Sequence, residues 1–304
     1  MEAVIRSIRE KEISEMSSGE KDIALRLQAD YDTLVARGYE VLGVFIQGSQ
    51  NYHLEYDGSD IDTKAIVLPS FHDLIFNNKP ANHTLFLTED GPVREAVAAA
   101  PHVDIKDIRL MFDLWKKQNT QFQELLFSRY YITNSKYEDV VNTLMQNRER
   151  ITHADPLATV SCVVGVMHEK RVALCRPYPA VADKVEAYGY DPKQLHHIIR
   201  LKDFLTRFAA GESFESALRA NNRDYLIRVK SLPPLYGLDE AIRIADEHIT
   251  WADNFKKEFK REHPDPQRDD LSELFNTQME TCLRRYYTEE LTNPEHNQPE
   301  QDMN

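Results

Sequence analysis

The sequence predicts an α+β chain, with strands and helices in the first half and helices alone in the second. Two observations carry this. Between Val41 and Pro69, two apolar, β-branched runs of strand length flank a Gly-Ser turn and a polar loop. From Lys136 onward, apolar residues recur almost throughout at helical spacing. The expected organisation is a first domain over 1–135, a helical domain over 136–291 and a polar, disordered tail over 292–304. No long polar linker separates the halves, so they are expected to pack together.

Composition bounds the function. Charged residues are 29% and apolar ones 41% of the 304, the balance of a soluble globular chain with ample core. No apolar run is long enough to span a bilayer, and the N-terminal stretch has no signal-peptide core, so no membrane role is expected. Cys162, Cys175 and Cys282 are odd in number and far apart, which predicts a reduced, cytoplasmic protein without structural zinc. The net charge of −13 argues against loose nucleic-acid binding. Residues 136–232 nevertheless hold 15 Lys and Arg against 12 Asp and Glu, so an acidic chain has room for a basic groove.

The elements follow in order. Residues 1–16 read as a helix stopped by Ser17-Ser18-Gly19; a second helix carries Ile23, Leu27, Tyr31, Leu34 and Val35 on one face and ends at Gly38. Val41 to Ile46 is a strand, Gly48-Ser49 breaks it, and Ile61 to Leu68 is the next strand, stopped by Pro69. A short helix lies in Ser70 to Asn78. His83 to Thr88 and Pro101 to Ile105 read as strands around a Glu89–Pro92 turn. Asp107 caps a helix over Ile108 to Gln118, which resumes after Asn119 through Phe127. Helices are then expected over Pro156–Leu174, Pro192–Ala210, Asp224–Val229, Leu238–His263 and Leu271–Leu291.

The chemistry concentrates in GSQNYHLEYDGSDIDTKAIVLP. Asp60 and Asp62, two apart in a strand, would leave one face together. Two like charges at a sheet edge call for a cation, and Mg²⁺ takes carboxylate oxygens with waters and phosphates. The bland alternative, an Asx turn at Asp57-Gly58, leaves Asp62 inside its apolar run unexplained. Gly48 allows close backbone approach to a phosphate, and Ser49 adds a hydroxyl; otherwise Ser49 is a plain turn serine.

These motifs resemble the signature of the DNA polymerase β-type nucleotidyltransferase superfamily: Gly48-Ser49, then Ser59-Asp60-Ile61-Asp62. GSQNYHL followed by SDIDTKAIVLP is similar to a group of predicted nucleotidyltransferases of bacteria and their phages. That group tends to have Gly after the Tyr, where this chain has His53. The resemblance spans most of residues 20–230. It implies a polymerase β-like domain, with a mixed, mostly antiparallel sheet and helices on one side, followed by a helical domain.

It further implies a two-metal transfer of a nucleoside monophosphate from an NTP such as ATP, with Mg²⁺ or Mn²⁺. Asp60 and Asp62 would be metal ligands and Asp104, on a neighbouring strand, the third; Asp107 is the competitor, assigned here to a helix cap. Gly48 and Ser49 would hold the triphosphate. Lys64 either contacts a phosphate or pairs with the carboxylates. Lys193, His197 and Arg200, at i, i+4 and i+7, resemble a Lys-x₃-His-x₂-Arg pattern of the family's helical half; they line the cleft or form a solvated stripe. Arg228 is a weaker member of the same surface, and Lys170-Arg171 reads as solvated. The expected acceptor is an RNA 3′ end, tRNA-like or other, with a protein or small-molecule hydroxyl as alternatives.

Other readings fit less well. A phosphoaspartate hydrolase needs Thr or Val where Lys64 stands, and a glycosyltransferase Asp-x-Asp leaves the upstream Gly-Ser unexplained. From another class, the chain would be a nucleotide- or RNA-binding module without catalysis.

Overall fold

Seven strands form one mixed sheet in a computed structural model that describes residues 3–5, 17–56, 59–88, 91–95, 100–264 and 268–292. The strands are β1 (Ala3–Ile5), β2 (Glu40–Gln47), β3 (Asp62–Leu68), β4 (Asn82–Thr88), β5 (Gly91–Val93), β6 (His102–Asp107) and β7 (Tyr131–Asn134). Their spatial order is β1-β7-β2-β3-β6-β4-β5. Every neighbouring pair is antiparallel except β3 and β6.

Helix α1 (Ser18–Ala36) opens on a capping box in which Ser17 and Glu20 satisfy each other's backbone N–H groups. Between the strands lie α2 (Phe71–Ile75), α3 (Ile108–Lys116), capped by Asp107 as expected, and α4 (Thr120–Gln123). After β7 every described element is helical: α5 (Glu138–Gln146), α6 (Arg148–Thr152), α7 (Pro156–Ala173), α8 (Ala182–Tyr188), α9 (Pro192–Ala209), α10 (Phe214–Leu218), α11 (Arg223–Lys230), α12 (Leu238–Glu262) and α13 (Ser272–Thr292). Asp191 caps α9 and Pro192 takes its first turn, where the missing N–H costs nothing.

Strand alternation divides the interior. Ala65 and Val67 of β3 join Val44, Ile46 and Ile105 against Ile23, Leu27 and Leu34 of α1, while Val35, expected on that face, is exposed. Ile66 and Leu68 face the other way, into a larger core that runs through Trp115 to Leu195, Phe204, Ala245 and Phe275. Helices therefore cover both faces of the sheet, which corrects the expectation of helices on one side: α1 needs its own apolar surface to bury its stripe. The large core is continuous from the sheet into the helical half.

Three further expectations change. Residues 3–5 are a strand on the edge of β7, so a helix over 1–16 does not hold there; its remaining residues, and the tail 293–304, lie outside the described residues. Strand β7, just before the expected boundary at 135, is not among the strands the sequence predicts, yet it pairs with β2 through Gly43, Val44 and Phe45. Asp60 precedes β3, which begins at Asp62, so the two carboxylates converge from loop and strand rather than from one strand face.

Phe275 of α13 stacks on Phe112 of α3 at 4.6 Å and is 1% exposed. Phe275→Ala is expected to cost about 3–5 kcal/mol of stability, read by urea unfolding.

Candidate functional site

The β2–β3 pairing sets the site. Gln47, the last residue of β2, pairs with Asp62, the first of β3, so the turn after one strand meets the loop before the other. Gly48, at φ +77, starts a single helical turn; a Cβ there would lie 3.8 Å from Asp62 Oδ2. His53 sits at φ +58, the left-handed conformation that explains a glycine preference at this place. The histidine keeps the loop shape at a cost of about 1 kcal/mol.

Four consecutive carbonyls of that loop accept hydrogen bonds from the helical half. Ala220 N–H reaches Tyr52 O, Arg223 reaches His53 O and Glu55 O, and Lys230 Nζ reaches Leu54 O. Behind the sheet, buried Asp30 accepts from Thr63 Oγ1 and Arg26, and Arg26 also donates to His102 O. These contacts brace β3 and β6 at the end that carries Asp62.

A cleft of about 410 Å³ opens between the sheet and the helical half. Its sheet wall includes Gly48, Ser49, Asp60, Asp62 and Lys64; its helical wall includes Lys193, His197 and Arg200. Eight of the nine site residues expected from the sequence thus line one cavity. Asp60 is exposed and Asp62 partly so, and among the described residues neither has an ion-pair partner closer than His102, 3.8 Å from Asp62. Ser49 Oγ has no hydrogen-bond partner among the described residues, whereas Gly48 N–H donates to Glu124 Oε1 at 3.0 Å. The turn therefore offers its hydroxyl rather than the Gly48 amide.

Asp104 is the ninth, and it is not among the residues lining the cleft. Parallel pairing sets it beside Lys64 in register. Its two oxygens take Lys64 Nζ at 2.9 Å and Lys106 Nζ at 2.7 Å. Lys64 is 5% exposed, with its ammonium 4.1 Å over the Phe122 ring. Burial pushes its pKa down and Asp104 opposes that shift. The carboxylate thus serves a buried lysine.

Asp60 and Asp62 suit a hard divalent cation, being oxygen donors open to the cleft. Among the described residues no group of three or more Asp, Glu, His or Cys side chains converges on one point. A cation would be held by this pair together with oxygens of its ligand.

The structure adds residues that the sequence did not single out. Lys184 and Lys230 line the cleft, and so does Lys170, for which the sequence predicts a solvated position, while Arg171 beside it pairs with Asp246. Arg228 donates to Pro233 O and is not in the lining. His196 is buried against Leu226 O, and burial with nearby cations lowers its pKa to about 3. His197 is likewise shifted well below its ordinary value. Both rings are neutral near pH 7.

Glu124, 3% exposed, accepts from Gly48 N–H and from Tyr52 O–H. The Arg200 guanidinium lies 3.8 Å over the Tyr52 ring. Burial raises the Glu124 pKa to about 7, against the pull of Gly48 N–H and Arg200. The sequence marks it only as part of the helix expected to resume after Asn119 through Phe127. No protein-family profile and no curated protein matches the chain.

A raised carboxyl pKa means that the folded protein holds this proton more tightly than the unfolded chain does. The penalty of ionising Glu124 therefore grows as pH rises from about 4.5 to about 7 and is fully present above. Glu124→Gln keeps an acceptor for Gly48 without the titration. Its stability relative to wild type is expected to rise between pH 5 and pH 8, by up to about 3 kcal/mol, in melts across that range.

Proposed function

We propose that the protein is a Mg²⁺- or Mn²⁺-dependent nucleotidyltransferase. It would transfer a nucleoside monophosphate from an NTP to an acceptor hydroxyl and release pyrophosphate. One observation carries this reading: a Gly-Ser turn and two open carboxylates, set together by β2–β3 pairing, share a cleft with a wall of cations. The motif resemblance and the sheet-plus-helices architecture support it as well, and imply a polymerase β-like fold.

In the transfer, the acceptor oxygen forms a bond to the α-phosphorus as the bond to the bridging α,β-oxygen breaks. The electron pair leaves with pyrophosphate, and the acceptor proton passes to a cleft carboxylate. Divalent cations, when bound, would acidify the acceptor hydroxyl and offset charge on the phosphates. Asp60 and Asp62 would hold them. Ser49 would donate to a phosphate oxygen, and the basic helical wall would orient the anionic parts of donor or acceptor. Asp104 is assigned to holding Lys64 at the cleft, in place of the third metal-ligand role expected from the resemblance. The acceptor we favour is an RNA 3′ end, because the cations lining the cleft outnumber the carboxylates.

A second reading, a nucleotide- or RNA-binding module, draws on that same pairing of Asp104, since it leaves two open carboxylates rather than three. Label transfer from each α-³²P-NTP into a pool of small RNAs and into the protein separates the two. Wild type is expected to label RNA with Mg²⁺, EDTA to abolish labelling, and the Asp60→Ala/Asp62→Ala double variant to lose about 10³-fold or more. Unchanged turnover in that variant would sink the mechanism; nucleotide binding without transfer would favour the module.

A further inference from the structure

Arg200 is an anomaly in its surroundings. It is 8% exposed, yet its guanidinium makes no hydrogen bond or ion pair within 4 Å to any described residue, and Nε is buried without a partner. Its guanidinium lies over the face of Tyr52. Glu124 acts on it at longer range and spends its oxygens on Gly48 and Tyr52; Asp203, one turn away, sits 3.5 Å from Arg207. A buried guanidinium whose Nε–H is unmet, and whose remaining donors meet no described residue, is costly unless an anion meets it.

Its position indicates which anion. Arg200 stacks on Tyr52, Tyr52 donates to Glu124, and Glu124 holds the Gly48 amide. The guanidinium is thus linked through three successive contacts to the Gly48-Ser49 turn, and it lines the same cleft. Lys193, one face of α9 nearer its N-terminus, lines the same cleft without a side-chain partner among the described residues.

We propose that Arg200 is the polyphosphate seat of the helical wall: it clasps the non-transferred phosphates of the nucleoside triphosphate from the side opposite Ser49. Glu124 is a positioning residue that fixes turn and seat at one spacing. This rests on the nucleotidyl-transfer reading and narrows it: within the helical half, Arg200 holds the donor's leaving group rather than the acceptor backbone. A planar fork suits this task better than an ammonium, because it can bridge two phosphate oxygens.

The test uses the full chain and isothermal titration with inorganic tripolyphosphate, with and without Mg²⁺, beside a single-stranded oligonucleotide that has a 5′-hydroxyl. Arg200→Gln is expected to weaken tripolyphosphate binding about 10- to 100-fold and leave the oligonucleotide within about threefold. Arg200→Lys, which keeps the charge and loses the fork, is expected to weaken it at least about fivefold; melts without ligand verify that each variant is folded. Tripolyphosphate binding within about twofold of wild type in Arg200→Gln, or in Arg200→Lys where the Gln variant does not fold, overturns the proposal. So does absence of binding by wild type, or a loss confined to the oligonucleotide. Label transfer by wild type with normal tripolyphosphate binding by the variant would remove the seat and keep the activity. Weakened binding with no transfer by wild type would keep the seat and remove the activity.

Discussion

The register of β2 on β3 is the constraint on which the site depends. Side chains alternate along a strand, so a slip by one residue would exchange Asp62 and Lys64 with Thr63 and Ala65. Two charges would then face the apolar stripe of α1, and Ile66 would leave the main core. The apolar face of α1 and the helical half thus specify the register from opposite sides, each through its own core cluster. The position of Asp62 beside the Gly48 turn is a consequence of burying both faces. The Asp30–Arg26–Thr63 network adds a polar lock at the same end of the strands.

The helical half is coupled to this edge in three ways that differ in physics. A continuous apolar core fixes its distance from the sheet. Donors from Ala220, Arg223 and Lys230 fix the path of the loop from Tyr52 to Glu55, which leads to Asp60. Tyr52 then sits between a buried carboxylate of the first half and a buried guanidinium of the second. The first is non-directional and tolerant of side-chain exchange; the other two are directional and set the spacing across the cleft to within a hydrogen bond.

The parts of this that the sequence reveals are those with a local cause. Asp60 and Asp62 stand out because charges interrupt an apolar run, and Gly48 because a turn must break a strand. Asp107 and Pro192 mark helix starts because cap chemistry acts over three residues. Strands β1 and β7 are hidden: each is so short that only pairing with the sheet makes it a strand. Asp104 has the same apolar flanks as Asp62, and its different surroundings arise from parallel pairing with β3, which sets Lys64 beside it. Arg200 reads as one member of a polar stripe, and only the approach of Tyr52 from the other half buries it. Lys184 and Lys230 come from α8 and the end of α11, and no spacing in the sequence links them to Asp60.

The electrostatics of the whole and of the cleft have opposite signs, and this has a consequence for recognition. With a net charge of −13, the surface repels a polyanion at long range, although salt screens that field beyond about 8 Å. Inside the cleft, Lys170, Lys184, Lys193, Arg200 and Lys230 act over a few ångströms, beside low-dielectric walls where screening is weak. A long nucleic acid lying across the surface would gain little. A compact, highly charged group that fits the cleft would gain most of the available attraction. The arrangement therefore favours anions of high charge density and small size, next to the two carboxylates.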